Sequence, residues 1–455
     1  MKNVTKYVTR KAALRTTFPP LLYTVSEANR RAAPRIVFQE SMNKPATVGS
    51  MADCTEILAD LVRRPSVNPM GCALSGPEYL EGRVTEYLLN RLGKVGITAI
   101  RQHVSPGREN VVAVLPATRS NAPVLLWDAH QDTVPVDGMT IQPFSPTIKN
   151  GQLFGRGACD VKGGMASMVA ALEDLSTFET RHASVIFVAS VNEEFGFSGA
   201  KAFTALLKRS GHERDKVAEE LVQSVLSGLP DIVVVAEPTD LHLVTQHKGA
   251  VRWRITVCGH ACHSSYPEKG LNAIYSASRV ALVLESLAHE LSLRHSSHPC
   301  GAPTLSVGTI RGGMGVNLVP DRVVVEIDRR LVPGEDPLIA RQEVIDYISA
   351  HCTTAVIEHE EPFLASAGLS NEGVAAIAAA ESLREATKKA GIHSVEEVAR
   401  YGTNACVYAA AEMPCVVFGP GSISQAHTAD EWIDLREVEQ ATEILKNLVG
   451  YNGSA

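Results

Sequence analysis

Residues 124–132 read VLLWDAHQD. Four apolar residues followed at once by Asp128, His130 and Asp132 describe a short buried strand that delivers polar side chains at its carboxyl end. The pattern recurs three times. SVIFVASV at 184–191 runs into Asn192, Glu193 and Glu194, IVVVA at 232–236 runs into Glu237, and CVVF at 415–418 leads through GPGSISQAH to His427. Helical periodicity lies between them at 165–175, 200–207 and 217–226. This alternation predicts an α/β fold, a mostly parallel sheet with helices on both faces. In such open sheets ligands bind beyond the carboxyl ends of the strands, where all these polar residues fall.

Between the first two strands lies LFGRGACDVKGGM, residues 153–165. Glycines at 155, 157, 163 and 164 let the backbone turn tightly and approach other groups closely, so Asp160 is presented from a loop at the start of a helix. Taken alone, this is also how an acidic residue placed for the helix dipole reads. The His and acidic residues from the other strand ends give it a chemical partner set. Two adjacent carboxylates after a fully apolar strand need something to offset their repulsion, and buried charges are paired or bound to metals. Two His, one Asp and two Glu form a nitrogen and oxygen donor set suited to zinc, cobalt or manganese.

Composition narrows the partners. The 455 residues predict two or three domains, and an apolar fraction of 45% supplies ample core. With 43 Lys+Arg against 50 Asp+Glu the net charge is −7, so the chain lacks a basic field for nucleic acid. No apolar run approaches the roughly 18 residues of a membrane span. Nine cysteines without a CxxC pair read as reduced thiols in a cytoplasm. Residues 1–50 are basic and without period, and they are expected to be disordered or a mis-assigned extension before Met51, with an Arg-rich transit peptide as the alternative.

The segments AHQDTVP (129–135), GRGACDVKGGMA (155–166), NEEFGFSGA (192–200), AEPT (236–239) and GPGSISQAHTADE (419–431) resemble the two-metal amidohydrolase and peptidase family. That family includes acetylornithine deacetylase, succinyl-diaminopimelate desuccinylase, aminoacylase and glutamate carboxypeptidases, and the resemblance covers roughly residues 52–450. It implies that Asp160 bridges two divalent ions, zinc or alternatively cobalt, that His130 and Glu237 complete one site, and that Glu194 and His427 complete the other. It further implies that Asp132 orients His130 and that Glu193 is the general base. The chemistry asks for such a group independently, since a carboxylate that is not a ligand must move the proton of the attacking water to the leaving amine. Adjacent residues of an extended chain point to opposite sides, which predicts that Glu193 and Glu194 diverge.

After His247 the texture changes. Residues 251–259, 304–310 and 323–331 alternate as half-buried strands, while 273–287 and 339–348 are helical. The reading is an antiparallel α+β module at 247–360 that interrupts a catalytic domain of 51–246 plus 361–455. By resemblance the module is a lid and dimerisation domain, so the chain is expected to be a homodimer. His263 then reaches the partner subunit's site to stabilise the oxyanion, and Asn317 and Arg330 hold substrate. One departure stands out: Asn404 occupies the place after Gly-Thr where many relatives carry an acidic residue. The activity expected is hydrolysis of the amide of a small N-acyl amino acid, with acetylornithine deacetylase the nearest branch. Desuccinylase, carboxypeptidase or dipeptidase action and a non-catalytic binding role on the same fold are the alternatives.

Overall fold

Asp53 opens the first helix, Cys54–Val62, by accepting hydrogen bonds from the Thr55 and Glu56 amides at 2.9 and 3.1 Å. Ile57, Leu58, Leu61 and Val62 share the face that this cap turns inward, and all four are fully buried. The computed structural model describes residues 53–208, 215–226, 228–294, 297–370 and 372–450. The expectation for residues 1–50 lies outside them.

The larger sheet has eight strands, ordered Thr98–Ser105, Arg108–Leu115, Ser184–Ser190, Val124–His130, Ile232–Val235, Cys415–Val417, Leu243–His247 and Glu396–Ala399. Its four central strands are mutually parallel. The first two form an antiparallel hairpin on one edge. On the other edge Leu243–His247 runs antiparallel to Cys415–Val417, because only a short turn at Thr239–His242 separates it from the strand before it. The mostly parallel order thus holds at the centre, where the polar residues emerge, and reverses near both edges.

Strand alternation divides the central side chains between two cores. Trp127, Val185, Phe187 and Val234 pack against the helices Cys54–Val62, Gly163–Ser176 and Leu435–Leu448. Leu126, Ile186, Val188 and Val233 pack against Ser198–Leu207, Lys216–Gln223 and Ala405–Ala409 on the other face. Each large side chain buried this way contributes about 1.5–3 kcal/mol, so the central strands are the least mobile support available to a site at their ends.

A second sheet is antiparallel throughout: Thr304–Gly312, Arg322–Leu331, Gly249–Cys258 and Val356–His359, with Leu364–Ser366 also paired to Gly249–Cys258. Val251, Trp253, Ile255 and Val257 alternate inward and meet the helices Ala273–Ser292 and Pro337–His351 in a core of their own. Two strands beyond the expected strand, helix, strand, strand, helix order complete this sheet, the last of them past residue 360. Among the described residues no helix is long and apolar enough to cross a membrane.

Candidate metal centre

His130 is the last residue of its strand, and its ring is fixed at both nitrogens. Nδ1 lies 2.9 Å from the backbone carbonyl of Asp132, so it carries the hydrogen and donates it. Nε2 faces Asp160 Oδ1 at 3.1 Å. A ring lone pair against a carboxylate is repulsive unless a proton or a cation lies between them, so this nitrogen is set up as a ligand.

Asp160 sits between two histidines. Its Oδ2 is 3.2 Å from His427 Nε2, which is also 3.4 Å from Glu194 Oε2. Two groups of donor atoms result, His130, Asp160 and Glu237 in one and Asp160, Glu194 and His427 in the other, each within 4.8 Å, with Asp160 common to both. His130, Asp160, Glu193 and Glu237 are buried, whereas the His427 side chain is 53% exposed and marks the open side.

Four carboxylates and two imidazoles in this space are short of positive charge. Burial pushes the Glu193 and Glu237 carboxyls well above the usual carboxylate range, and the neighbouring carboxylates add to it. Burial also acts to raise Asp160, but hydrogen bonds from His130 and His427 outweigh it and hold this carboxyl well below its ordinary value. His427, bonded to Asp160 and Glu194, is pushed up to about 11. Glu194 Oε1 is buried without a hydrogen-bond partner among the described residues. An unsatisfied carboxylate oxygen within a negatively charged, oxygen- and nitrogen-lined cluster fits a divalent cation, which would take the place of the protons that the metal-free cluster needs.

The supporting groups differ from expectation in two respects. The Asp132 carboxylate does not orient His130: its Oδ1 is 3.9 Å from Nδ1, and the Asp132 backbone carbonyl takes that hydrogen bond. The side chain instead accepts from the amides of Glu193 and Glu194 at 3.1 and 3.2 Å and from Asn68 Nδ2 at 2.8 Å. It therefore anchors the turn that carries both glutamates. That turn is not extended, because Asn192 takes φ 60° and Glu193–Gly196 is one helical turn, so helical rotation separates the two carboxylates.

Two supporting residues escaped the sequence reading. Glu431 accepts from the amides of Gly157, Cys159 and Asp160 at 2.9–3.0 Å and from Arg156 at 2.7 Å, which pins the Asp160 loop. The signal was present in its short distance from His427. Asn68 bridges Asp132 and Asn192, and nothing in its neighbourhood distinguishes it.

The remaining candidates lie apart from this cluster. His263 and Asn317 are brought together, since Cys262–His263 pairs with Leu318–Val319 and the Ser264 amide donates to the Asn317 carbonyl at 3.1 Å. Both side chains are exposed, and His263 Nδ1 accepts from the Ser265 amide. Arg330 pairs with Asp328 at 2.9 Å. No hydrogen bond or ion pair among the described residues joins these three to the clustered carboxylates. Asn404 is 1% exposed and donates to Asp128 and Ser190, so it braces two central strands rather than lining the open side.

Residues 126–450 match the model of Peptidase family M20/M25/M40. The chain belongs to Peptidase family M20/M25/M40. An acetylornithine deacetylase of Proteus mirabilis is 29% identical over 403 residues, covering 87% of this chain and 95% of its own. A probable carboxypeptidase of Emericella nidulans is 29% identical over 422 residues, covering 91% and 92%. The fold is shared with a Bacillus subtilis protein described as a dinuclear metal-binding peptidase of the M20 family, at TM-score 0.56 and 17% identity, covering 87% of this chain and 96% of that one. This M20 member is a metal-dependent hydrolase of amide bonds, and the clustered donors are its candidate metal centre.

Proposed function

We propose that the enzyme removes the acyl group from an N-acyl amino acid, with N-acetylornithine as the reference substrate, and that its two donor groups hold two zinc ions, replaceable by cobalt. The observation that carries this reading is Asp160, whose two carboxylate oxygens face two separate donor groups. His130 and Glu237 belong to one ion, Glu194 and His427 to the other. Divalent ions bound there supply polarisation of the amide carbonyl and acidify water at neutral pH.

The protein's own groups do the rest. Glu193, buried and outside both donor groups, takes the proton of the attacking water and gives it to the leaving nitrogen. Asp132 holds the Glu193 turn, and Glu431 holds the Asp160 loop. Arg330 grips the substrate carboxylate and Asn317 contacts the substrate, while His263 of each protomer serves the site of its homodimer partner as an oxyanion donor. Nine free cysteines, most of them buried, agree with a reducing cytoplasm.

The test is metal titration joined to hydrolysis of N-acetylornithine and other N-acyl amino acids. Chelation is expected to abolish turnover, and two ions per chain to restore it. A titration that stops at one ion, with His427→Ala binding as much as wild type, would sink the two-metal assignment. The Emericella relative favours a second reading, a carboxypeptidase, which the same assay with dipeptides resolves.

A further inference from the structure

Lys248 lies on the connection between the two sheets, directly after Leu243–His247 and before Gly249–Cys258. It is 3% exposed, yet no carboxylate among the described residues pairs with it. Its ammonium has three hydrogens to donate and gives one to the carbonyl of Ala302. A buried ammonium normally has a counter-charge, and this one lacks it.

Around it stand more cations than acids. The Arg400 guanidinium lies over Gly301, its Nε, Cζ and Nη2 3.6–3.7 Å from where a Cβ on that residue would be, one residue from the carbonyl that Lys248 uses. It too has no acidic partner among the described residues. Arg330 is register partner to Ala250, two residues from Lys248. Its one acidic partner, Asp328, is shared with Arg252, and Glu335 is taken by Arg329. Burial first, then the Arg400 guanidinium, and less strongly those of Arg330 and Arg329, depress the Lys248 ammonium from the usual lysine range, with Cys300 opposing them.

One loop connects this cluster to the carboxylate centre. The loop that follows Arg400 runs from Lys248 to the strand that ends in His130: a Cβ on Gly402 would lie 2.9 Å from the Lys248 carbonyl oxygen, Thr403 Oγ1 is 3.1 Å from His247 Nε2, and Asn404 donates to Asp128 at 2.9 Å. A substrate whose amide lies at the carboxylate centre and whose side chain follows this loop would reach Lys248 and Arg400.

We infer that Lys248 and Arg400, beside Arg330, form a subsite for a second carboxylate on the substrate's amino-acid side chain. The inference rests on the N-acyl amino acid reading and departs from its reference substrate, with an acidic amino acid in place of ornithine. Arg330 holds the α-carboxylate, and the two unpaired cations hold the side-chain one. A cationic side chain such as ornithine's meets like charge there.

The test compares kcat/KM of the zinc- or cobalt-loaded enzyme for N-acetyl-L-glutamate, its neutral isostere N-acetyl-L-glutamine, and N-acetyl-L-ornithine. Wild type is expected to favour them in that order. Arg400→Gln, at an exposed position, should lower the glutamate-to-glutamine ratio by about 10- to 100-fold, as expected for losing a charge-assisted hydrogen bond, and Arg400→Glu should shift preference toward ornithine. A wild-type ratio near one, or a ratio that Arg400→Gln leaves unchanged, overturns the subsite while the deacylase reading stands. If none of the three is hydrolysed, the deacylase reading fails, and glutarate becomes the probe. A rise in melting midpoint with glutarate in wild type but not in Arg400→Gln then supports the subsite, and equal rises or none overturn it.

Discussion

Glu193 and Glu194 are adjacent in sequence and carry opposite requirements, one free to move a proton and the other held as a ligand. Glu193→Gln keeps the shape and the amide that Asp132 accepts from, and it removes the proton acceptor. Turnover should fall by ~10²–10⁴-fold with metal content unchanged, measured by steady-state kinetics and metal analysis. Loss of metal instead would mean that the two roles are exchanged. His247 offers a test of a different kind. It is fully buried, its Nδ1 hydrogen goes to the Lys248 carbonyl, and its Nε2 lies 3.1 Å from Thr403 Oγ1. Burial pushes its pKa down to about 4. Between pH 6.5 and 4 the unfolded chain therefore binds a proton that the folded chain refuses, so this residue stabilises less and less as pH falls through that window. The loss reaches about 3 kcal/mol by pH 4. The melting midpoint of wild type should fall more steeply over that range than that of His247→Gln. Equal slopes would show that the ring is protonated in the fold.

At the scale of elements, catalytic geometry depends on short turns clamped by buried polar groups. The Asp160 loop is held by Glu431, and the glutamate turn by Asp132 and Asn68. The helix Ser198–Leu207 closes against the same turn through Gly199. A Cβ there would lie 2.4 Å from the Val191 amide nitrogen and 2.6 Å from both Val191 O and Asn110 Oδ1. Backbone cannot retreat as a flexible side chain does, so Gly199→Ala should destabilise by about 1–3 kcal/mol and displace the turn that follows Ser184–Ser190. A thermal melt indistinguishable from wild type would show that this contact relaxes freely.

At the scale of the whole molecule, the question is what completes the site. His263 is exposed and linked to Asn317 within the second sheet's segment, and among the described residues no hydrogen bond or ion pair joins it to the carboxylate cluster. If it serves a partner subunit, His263→Ala and Glu193→Ala proteins, each inactive alone, should complement when unfolded together and reassociated. Random pairing makes half the dimers mixed, and each mixed dimer has one whole site, so recovery should approach roughly a quarter of wild-type activity. Restoration of nothing would place His263 in its own chain's site or outside catalysis.

Much of this architecture was legible in the chain because burial writes itself as period. VLLW, SVIFVASV and IVVVA announced central strands, and alternation at 251–257 and 323–331 announced the second sheet. The polar residues after those strands marked where the donors would gather, since a parallel sheet brings its carboxyl ends to one edge. What the chain could not display were contacts between segments far apart in it. Glu431 closing on the amides of Gly157 to Asp160, Asn68 on Asp132, and Asn404 on Asp128 each join residues dozens to hundreds of positions apart, and no local period encodes them. The role of Asp132 was misplaced for the same reason. Sequence put it two residues from His130, but the backbone carbonyl already satisfied the ring and left the carboxylate to the glutamate turn. The chain by itself determined where the polar strand ends gather, through hydrophobic pattern, whereas the groups that hold them and the part each plays were decided only when folding settled which donor each buried acceptor meets.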